Sequence, residues 1–176
     1  MEISDGGYRN AMNNIILIGM PGVGKSTIGV VLAKHLGYGF LDSDLVIQEK
    51  EGMLLHKIME LRGIEGFLRL EDEINASIEA EGLVIATGGS AVYGKRAMEH
   101  FSSIGTVIYL YLPYEELKER LGDLNKRGVV LREGQTLKEL MEERKVLYEK
   151  YGEVTIDCSG KQIREIVAEI AEKVLS

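Results

Sequence analysis

Gly19-Met20-Pro21-Gly22-Val23-Gly24-Lys25-Ser26 is the stretch that decides the fold. It fits G-x-x-x-x-G-K-[ST] at every fixed position, directly after the apolar run Ile15–Ile18 and at the start of a segment with helical periodicity. In that setting the glycines let successive backbone N–H groups turn inward around phosphate oxygens, the lysine reaches the β- and γ-phosphates, and the serine hydroxyl can ligate Mg²⁺. The helix beginning near Lys25 points its positive end at the same anion. A glycine turn that merely caps a helix is the alternative, and the strand and helix flanks argue against it. The motif implies nucleotide binding without separating a kinase from an ATPase, a GTPase or a nucleotide sensor.

Outward from this loop, short Ile- and Val-rich runs alternate with longer helical segments. The expected strands are Asn14–Gly19, Gly39–Leu41, Leu83–Thr87, Thr106–Leu112 and Val154–Asp157. None alternates strictly between apolar and polar, as befits strands covered on both faces. The expected helices are Lys25–Leu36, Leu54–Leu61, Ile64–Glu79, Arg96–Phe101, Tyr114–Gly122, Leu137–Tyr151 and Lys161–Leu175. This pattern predicts a three-layer α/β sandwich on a five-stranded parallel sheet, with right-handed crossovers and a site at the carboxyl ends of the strands. Residues 1–13 read as a polar, flexible tail, and 14–176 as one domain.

The composition agrees. Of 176 residues 21 are Gly, 2 are Pro and 1 is Cys, and a net charge of −7 argues against a broad nucleic-acid or membrane surface. Glycine is enriched over the roughly 7% of average proteins, yet no repeat or Gly/Ser tract accompanies it. Cys158 cannot form an internal disulfide, and no run nears the ~20 apolar residues of a membrane span, so a reduced, cytoplasmic setting is expected. His35, His56 and His100 are scattered and form no zinc motif.

One crossover after the phosphate loop, Phe40-Leu41-Asp42-Ser43-Asp44 places two carboxylates just past a strand end. One carboxylate there can orient Mg²⁺ and another can accept a proton from an attacking hydroxyl. A turn in which Asp42 or Ser43 caps the next helix is the plainer alternative. Further on, Asp123–Gln135 is a polar, basic stretch without a core face that reads as a lid, and a guanidinium such as that of Arg144 suits a planar carboxylate. Pairing of Arg144 with a helix neighbour such as Glu139 is the competing reading.

Taken together, Gly19–Thr27, Asp42 with Asp44, Gly88-Gly89, Arg120 with Arg127, and Arg144 in Glu143-Arg144-Lys145-Val146-Leu147-Tyr148 resemble the shikimate kinase family of small P-loop kinases. That resemblance implies a nucleoside monophosphate kinase-like fold and ATP-dependent phosphorylation of the 3-hydroxyl of shikimate, with Mg²⁺. By the same resemblance Gly22, Val23, Gly24, Lys25, Ser26 and Thr27 contact ATP, and Ser26 and Asp42 lie near Mg²⁺. Asp44 holds the substrate diol and acts as base, Gly88 and Gly89 form the substrate loop, and Arg144 pairs with the substrate carboxylate. Arg120 stacks on adenine, and Arg127 reaches the phosphates from the lid. Lys25, Asp44 and Arg127 are then the expected catalytic groups of a monomer acting on a small molecule.

Four positions depart from the pattern. Leu68 stands where the family usually has an arginine for the substrate carboxylate, Ser90 replaces a third glycine, Gly128 replaces a proline after the lid arginine, and Val30 replaces an arginine frequent in the P-loop helix. These departures leave open a related kinase acting on another small hydroxylated metabolite. A nucleotide sensor without turnover is the alternative from a different class.

Overall fold

The computed structural model describes residues 13–122 and 129–176. Five strands, β1 (Asn14–Ile18), β2 (Gly39–Asp42), β3 (Leu83–Ala86), β4 (Gly105–Tyr111) and β5 (Val154–Asp157), form one sheet in the order β2-β3-β1-β4-β5. Every pairing is parallel. Among the described residues the helices are α1 (Lys25–Leu36), α2 (Ser43–Glu51), α3 (Leu55–Ala76), α4 (Lys95–Ile104), α5 (Tyr114–Leu121), α6 (Leu137–Tyr151) and α7 (Ile163–Leu175), with a 3-10 turn at Ala91–Tyr93. All five residues of β1 are buried, so helices must cover both faces of the sheet, and α1 packs on α7 while α3 packs on α4.

The expected three-layer sandwich is therefore present. The chain runs from the central β1 to the edge strand β2, returns to β3, then crosses β1 to reach β4. The switch of direction falls at β1, which puts the phosphate loop in the crevice where open α/β sheets bind ligands. Parallel pairing also brings the carboxyl ends of β1, β2 and β3 side by side, in the register Leu17–Ala86 and Asp42–Ala86.

One local feature differs from the sequence expectation and another matches it. The residues after Asp42 form α2, a helix the apolar pattern does not announce, because only Ser43 and Ile47 of its nine residues are buried. The two helices expected on either side of Gly63 are both present and meet at a kink within α3, where Gly63 has the non-helical φ 68 and ψ 176. Only glycine takes that backbone without strain. The bend separates α3 into a half that carries Leu55 and Met59 and a half that carries Phe67, Leu70 and Ile74, and both flank a small second core with Ile47 of α2.

Candidate active site

The phosphate loop forms as its glycines require. Gly24 has φ 100 at the start of α1, a left-handed geometry that lets the loop's amides converge ahead of the helix. Lys25 is buried and donates to the carbonyls of Gly19 at 2.7 Å and Met20 at 2.9 Å. Burial lowers its pKa to about 8, against which Asp44 and Asp42 pull upward. Gly22, Gly24, Lys25, Ser26 and Thr27 line an open pocket of about 330 Å³ on this side, with Asp44, Thr87, Gly88 and Gly89 on its far wall. Val23 is buried beside it, and Arg120 of α5 donates to the Val23 carbonyl at 3.3 Å, which places its guanidinium against the loop.

Asp42 serves both readings of its sequence context at once. Its Oδ1 accepts from the Asp44 amide at 2.9 Å and caps α2, while its Oδ2 accepts from the Ser26 hydroxyl at 3.1 Å. The second contact leaves a hydroxyl and a carboxylate side by side at the mouth of the loop. These are hard oxygen donors of the kind that hold Mg²⁺ together with phosphate oxygens and water, so the residues fit that ion.

Beyond Asp44 lies a second, more enclosed cavity of about 150 Å³. Leu55, Met59, Phe67, Val129 and Val130 give it apolar walls, and Asp44, Glu71 and Arg144 bring charge into it. Asp44, Pro21, Gly88 and Gly89 border both cavities, so Asp44 stands at the junction between the phosphate side and the enclosed side. Burial first, and then Asp42, raise the Asp44 pKa to about 6, with Lys25 opposing. Asp44 is thus ionised at neutral pH yet basic enough to take a proton.

Arg144 settles the question left open by its sequence. It is 1% exposed and pairs with no carboxylate of its own helix. It donates instead to the Val130 carbonyl at 3.1 Å and the Tyr93 hydroxyl at 3.4 Å, and its guanidinium lies 5.4 Å from the Tyr93 ring centre. One turn on, the Tyr148 hydroxyl donates to the Gly89 carbonyl at 2.6 Å and pins the substrate-side loop. That loop passes so close that a Cβ on Gly89 would lie 2.6 Å from Pro21 Cδ and 2.9 Å from Arg144 Nη1, so no side chain fits there.

Several residues stand apart from these two cavities. Leu68 lines a shallow surface pocket with Glu65, Asp72 and Arg132, not the enclosed cavity, and Arg62 is paired with Glu51 at 2.9 Å. Neither brings a second cation to the site. Arg127 lies outside the described residues, as do residues 123–128 of the expected lid. The described end of that segment is tied down by Arg132, which bonds Glu143 at 2.9 Å and approaches Glu65 at 3.6 Å. Cys158 is buried and carries a thiol pushed up to about 12 by desolvation, which makes it inert.

Glu71, which ends the segment Phe67-Leu68-Arg69-Leu70-Glu71, received no role from its sequence. It is 2% exposed and lines the enclosed cavity, and burial raises its pKa to about 7. The available signal is its place on the apolar stripe of α3, between Phe67 and Ile74, where a carboxylate needs a reason to be.

Comparison with known proteins decides the family. The family model described as shikimate kinase matches residues 21–175. The chain belongs to the shikimate kinase family. Among its relatives, the shikimate kinase of Francisella tularensis subsp. novicida is 40% identical over 162 residues, covering 90% of this chain and 92% of that one. The Francisella philomiragia shikimate kinase is 39% identical over the same share. Of solved structures, the Acinetobacter baumannii shikimate kinase in complex with shikimate superposes with a TM-score of 0.83 at 34% identity, covering 93% of each chain. The Aquifex aeolicus shikimate kinase gives 0.78 at 32% identity, covering 92% of this chain and 96% of that one. A gluconokinase from Sinorhizobium meliloti, at 22% identity and a TM-score of 0.50, shares the fold alone.

Proposed function

We propose that this shikimate kinase family member transfers the γ-phosphoryl group of ATP to the 3-hydroxyl of shikimate, giving 3-phosphoshikimate and ADP. The observation that carries the reading is Asp44, set between a phosphate-binding loop and an enclosed cavity that ends in a buried arginine. An acceptor alcohol bound in the enclosed cavity meets the nucleotide at that carboxylate, and Arg144 presents a fork matched to a carboxylate on the acceptor.

In this scheme the phosphate loop, from Gly22 to Thr27, wraps the phosphates, and Lys25 leaves the Gly19 and Met20 carbonyls to meet the β- and γ-oxygens. Asp44 accepts the proton of the 3-hydroxyl as that oxygen bonds to the γ-phosphorus. The bond from phosphorus to the β,γ-bridging oxygen breaks, and ADP leaves. Ser26 and Asp42 would hold Mg²⁺, which when bound would neutralise phosphate charge. Gly88 and Gly89 shape the acceptor side, and Tyr148 fixes Gly89. Arg120 packs beside adenine, and Arg127 adds charge to the transferring group. Apolar walls around the acceptor keep water from competing as nucleophile.

We further propose a monomer in the cytoplasm. A charge of −7 and a single buried thiol support it, and among the described residues no helix is long and apolar enough to cross a membrane. Locating the phosphate on the isolated product by NMR tests the reaction. Phosphate on O3 is expected, and phosphate on another hydroxyl would contradict the placement of Asp44.

A further inference from the structure

The enclosed cavity holds one cation and two carboxylates, and one of those carboxylates has no partner for half of its acceptors. Glu71 Oε1 accepts from the Ser90 hydroxyl at 2.6 Å, while Oε2 is buried with no hydrogen bond. No ion pair involves Glu71 among the described residues. Its Oε2 faces the space beside Gly88, where an added Cβ would lie 3.0 Å from it and 2.7 Å from Asp44 Oδ1. The two acids therefore share one wall of the cavity, with Arg144 on another.

An ionised carboxylate in such a place would bear most of its desolvation cost uncompensated, next to a second negative group. The groups acting on it are Asp44 from α2, Asp72 from its own helix, and Arg144 with Tyr148 from α6. His56 stands on the cavity rim, and α4, packed against α3, offers its Ala97 amide to Asp72. Against burial, the Ser90 hydrogen bond to Oε1 and, after it, the charge of Arg144 favour the anion, and the Arg144 donors are directed to Val130 and Tyr93. A proton on Oε2 relieves the conflict and turns the orphaned acceptor into a donor beside Gly88, in the wall of the cavity.

We propose that Glu71 acts as a neutral carboxylic acid that donates its Oε2 proton to the carboxylate of the bound acceptor, the second contact to that anion beside Arg144, with Ser90 as the residue that positions it. The inference rests on the functional reading above and names a specificity determinant of the same site. It accounts for a cavity with a single guanidinium, and for a serine at position 90 whose hydroxyl holds Oε1 and leaves Oε2 as the free oxygen. The rise in the Glu71 pKa to about 7 agrees with it.

The test is the pH dependence of the KM for shikimate in the full-length enzyme with saturating MgATP. Wild-type KM should rise roughly tenfold or more between about pH 6.5 and about pH 8.5, as one proton is lost. Glu71→Gln, which keeps a donor at all pH values, should show a KM within about threefold of the low-pH wild-type value and flat across the range. Ser90→Ala should raise KM at every pH, keep kcat, and move the midpoint upward, since it removes the hydrogen bond that favours the anion. Calorimetry on the wild type in buffers of different ionisation enthalpy gives a readout free of any folding defect in the variants: shikimate binding near pH 7.5 should take up protons. A pH-independent wild-type KM, or binding without proton uptake, would overturn the role of Glu71 while leaving the kinase reading intact. Absence of shikimate-stimulated ADP release at every pH would overturn both.

Discussion

Replacing Asp44 with asparagine should make the protein more stable and inactive at once. Burial raises the Asp44 pKa from 3.8 to about 6 in the folded chain, while the unfolded chain keeps the ordinary value. Below 3.8 both states hold the proton and the group costs nothing. Between 3.8 and about 6 the unfolded state releases the proton first, so stability falls as pH rises through that window, and above it the penalty is complete. At ~1.36 kcal/mol per pH unit, the rise from 3.8 to about 6 amounts to a penalty on the order of 3 kcal/mol. That figure already contains the attraction of Lys25, and with the loss of other Asp44 contacts the expected gain is about 1–3 kcal/mol. For a chain of this size that corresponds to a Tm increase of about 2–10 °C. Thermal melts of wild type and Asp44→Asn, without ligands, should show the difference near pH 8 and none near pH 3. Turnover should be lost with ATP affinity within about threefold of wild type. A variant that melts lower near pH 8 would refute the desolvation argument, and equal loss of ATP affinity and turnover would show that Asp44 serves the nucleotide.

Two other substitutions probe the walls of the enclosed cavity. Arg144→Lys loses the planar fork, and a charge-assisted hydrogen bond is worth about 1.5–3 kcal/mol, so the KM for shikimate should rise at least about tenfold with the KM for ATP unchanged; steady-state kinetics with each substrate varied would reveal any shift of the effect to ATP. Tyr148→Phe leaves the Gly89 carbonyl without its 2.6 Å donor, at a cost of about 1–3 kcal/mol and a Tm lower by about 2–10 °C, checked by calorimetry. If Tm is unchanged, Gly89 is held by something other than Tyr148.

The parts of this site that lie within one loop were legible in the sequence, and the parts assembled from distant helices were not. Gly19–Ser26 follows β1 directly and Asp42-Ser43-Asp44 begins on the last residue of β2, so local pattern and topology together place them at the carboxyl edge of the sheet. Arg144 looked as much like a surface helix residue as a buried one, because its neighbours Glu142, Glu143 and Lys145 are charged; only packing against Tyr93 and Val130 buries it. Glu71 meets Ser90 across nineteen residues, and Tyr148 meets Gly89 across fifty-nine. No spacing rule connects such pairs. The helix α2 was missed for a related reason, since it shows the core little more than Ile47 and is started by a cap that also serves the phosphate loop.

The central claim is that an alcohol bound beside Asp44 and Arg144 receives phosphate from a nucleotide on the Gly22–Thr27 loop. ADP release measured with MgATP, with and without shikimate, tests it most directly. Strong stimulation by shikimate that saturates with its concentration is the predicted result, and tight ATP binding with no stimulation would contradict the account.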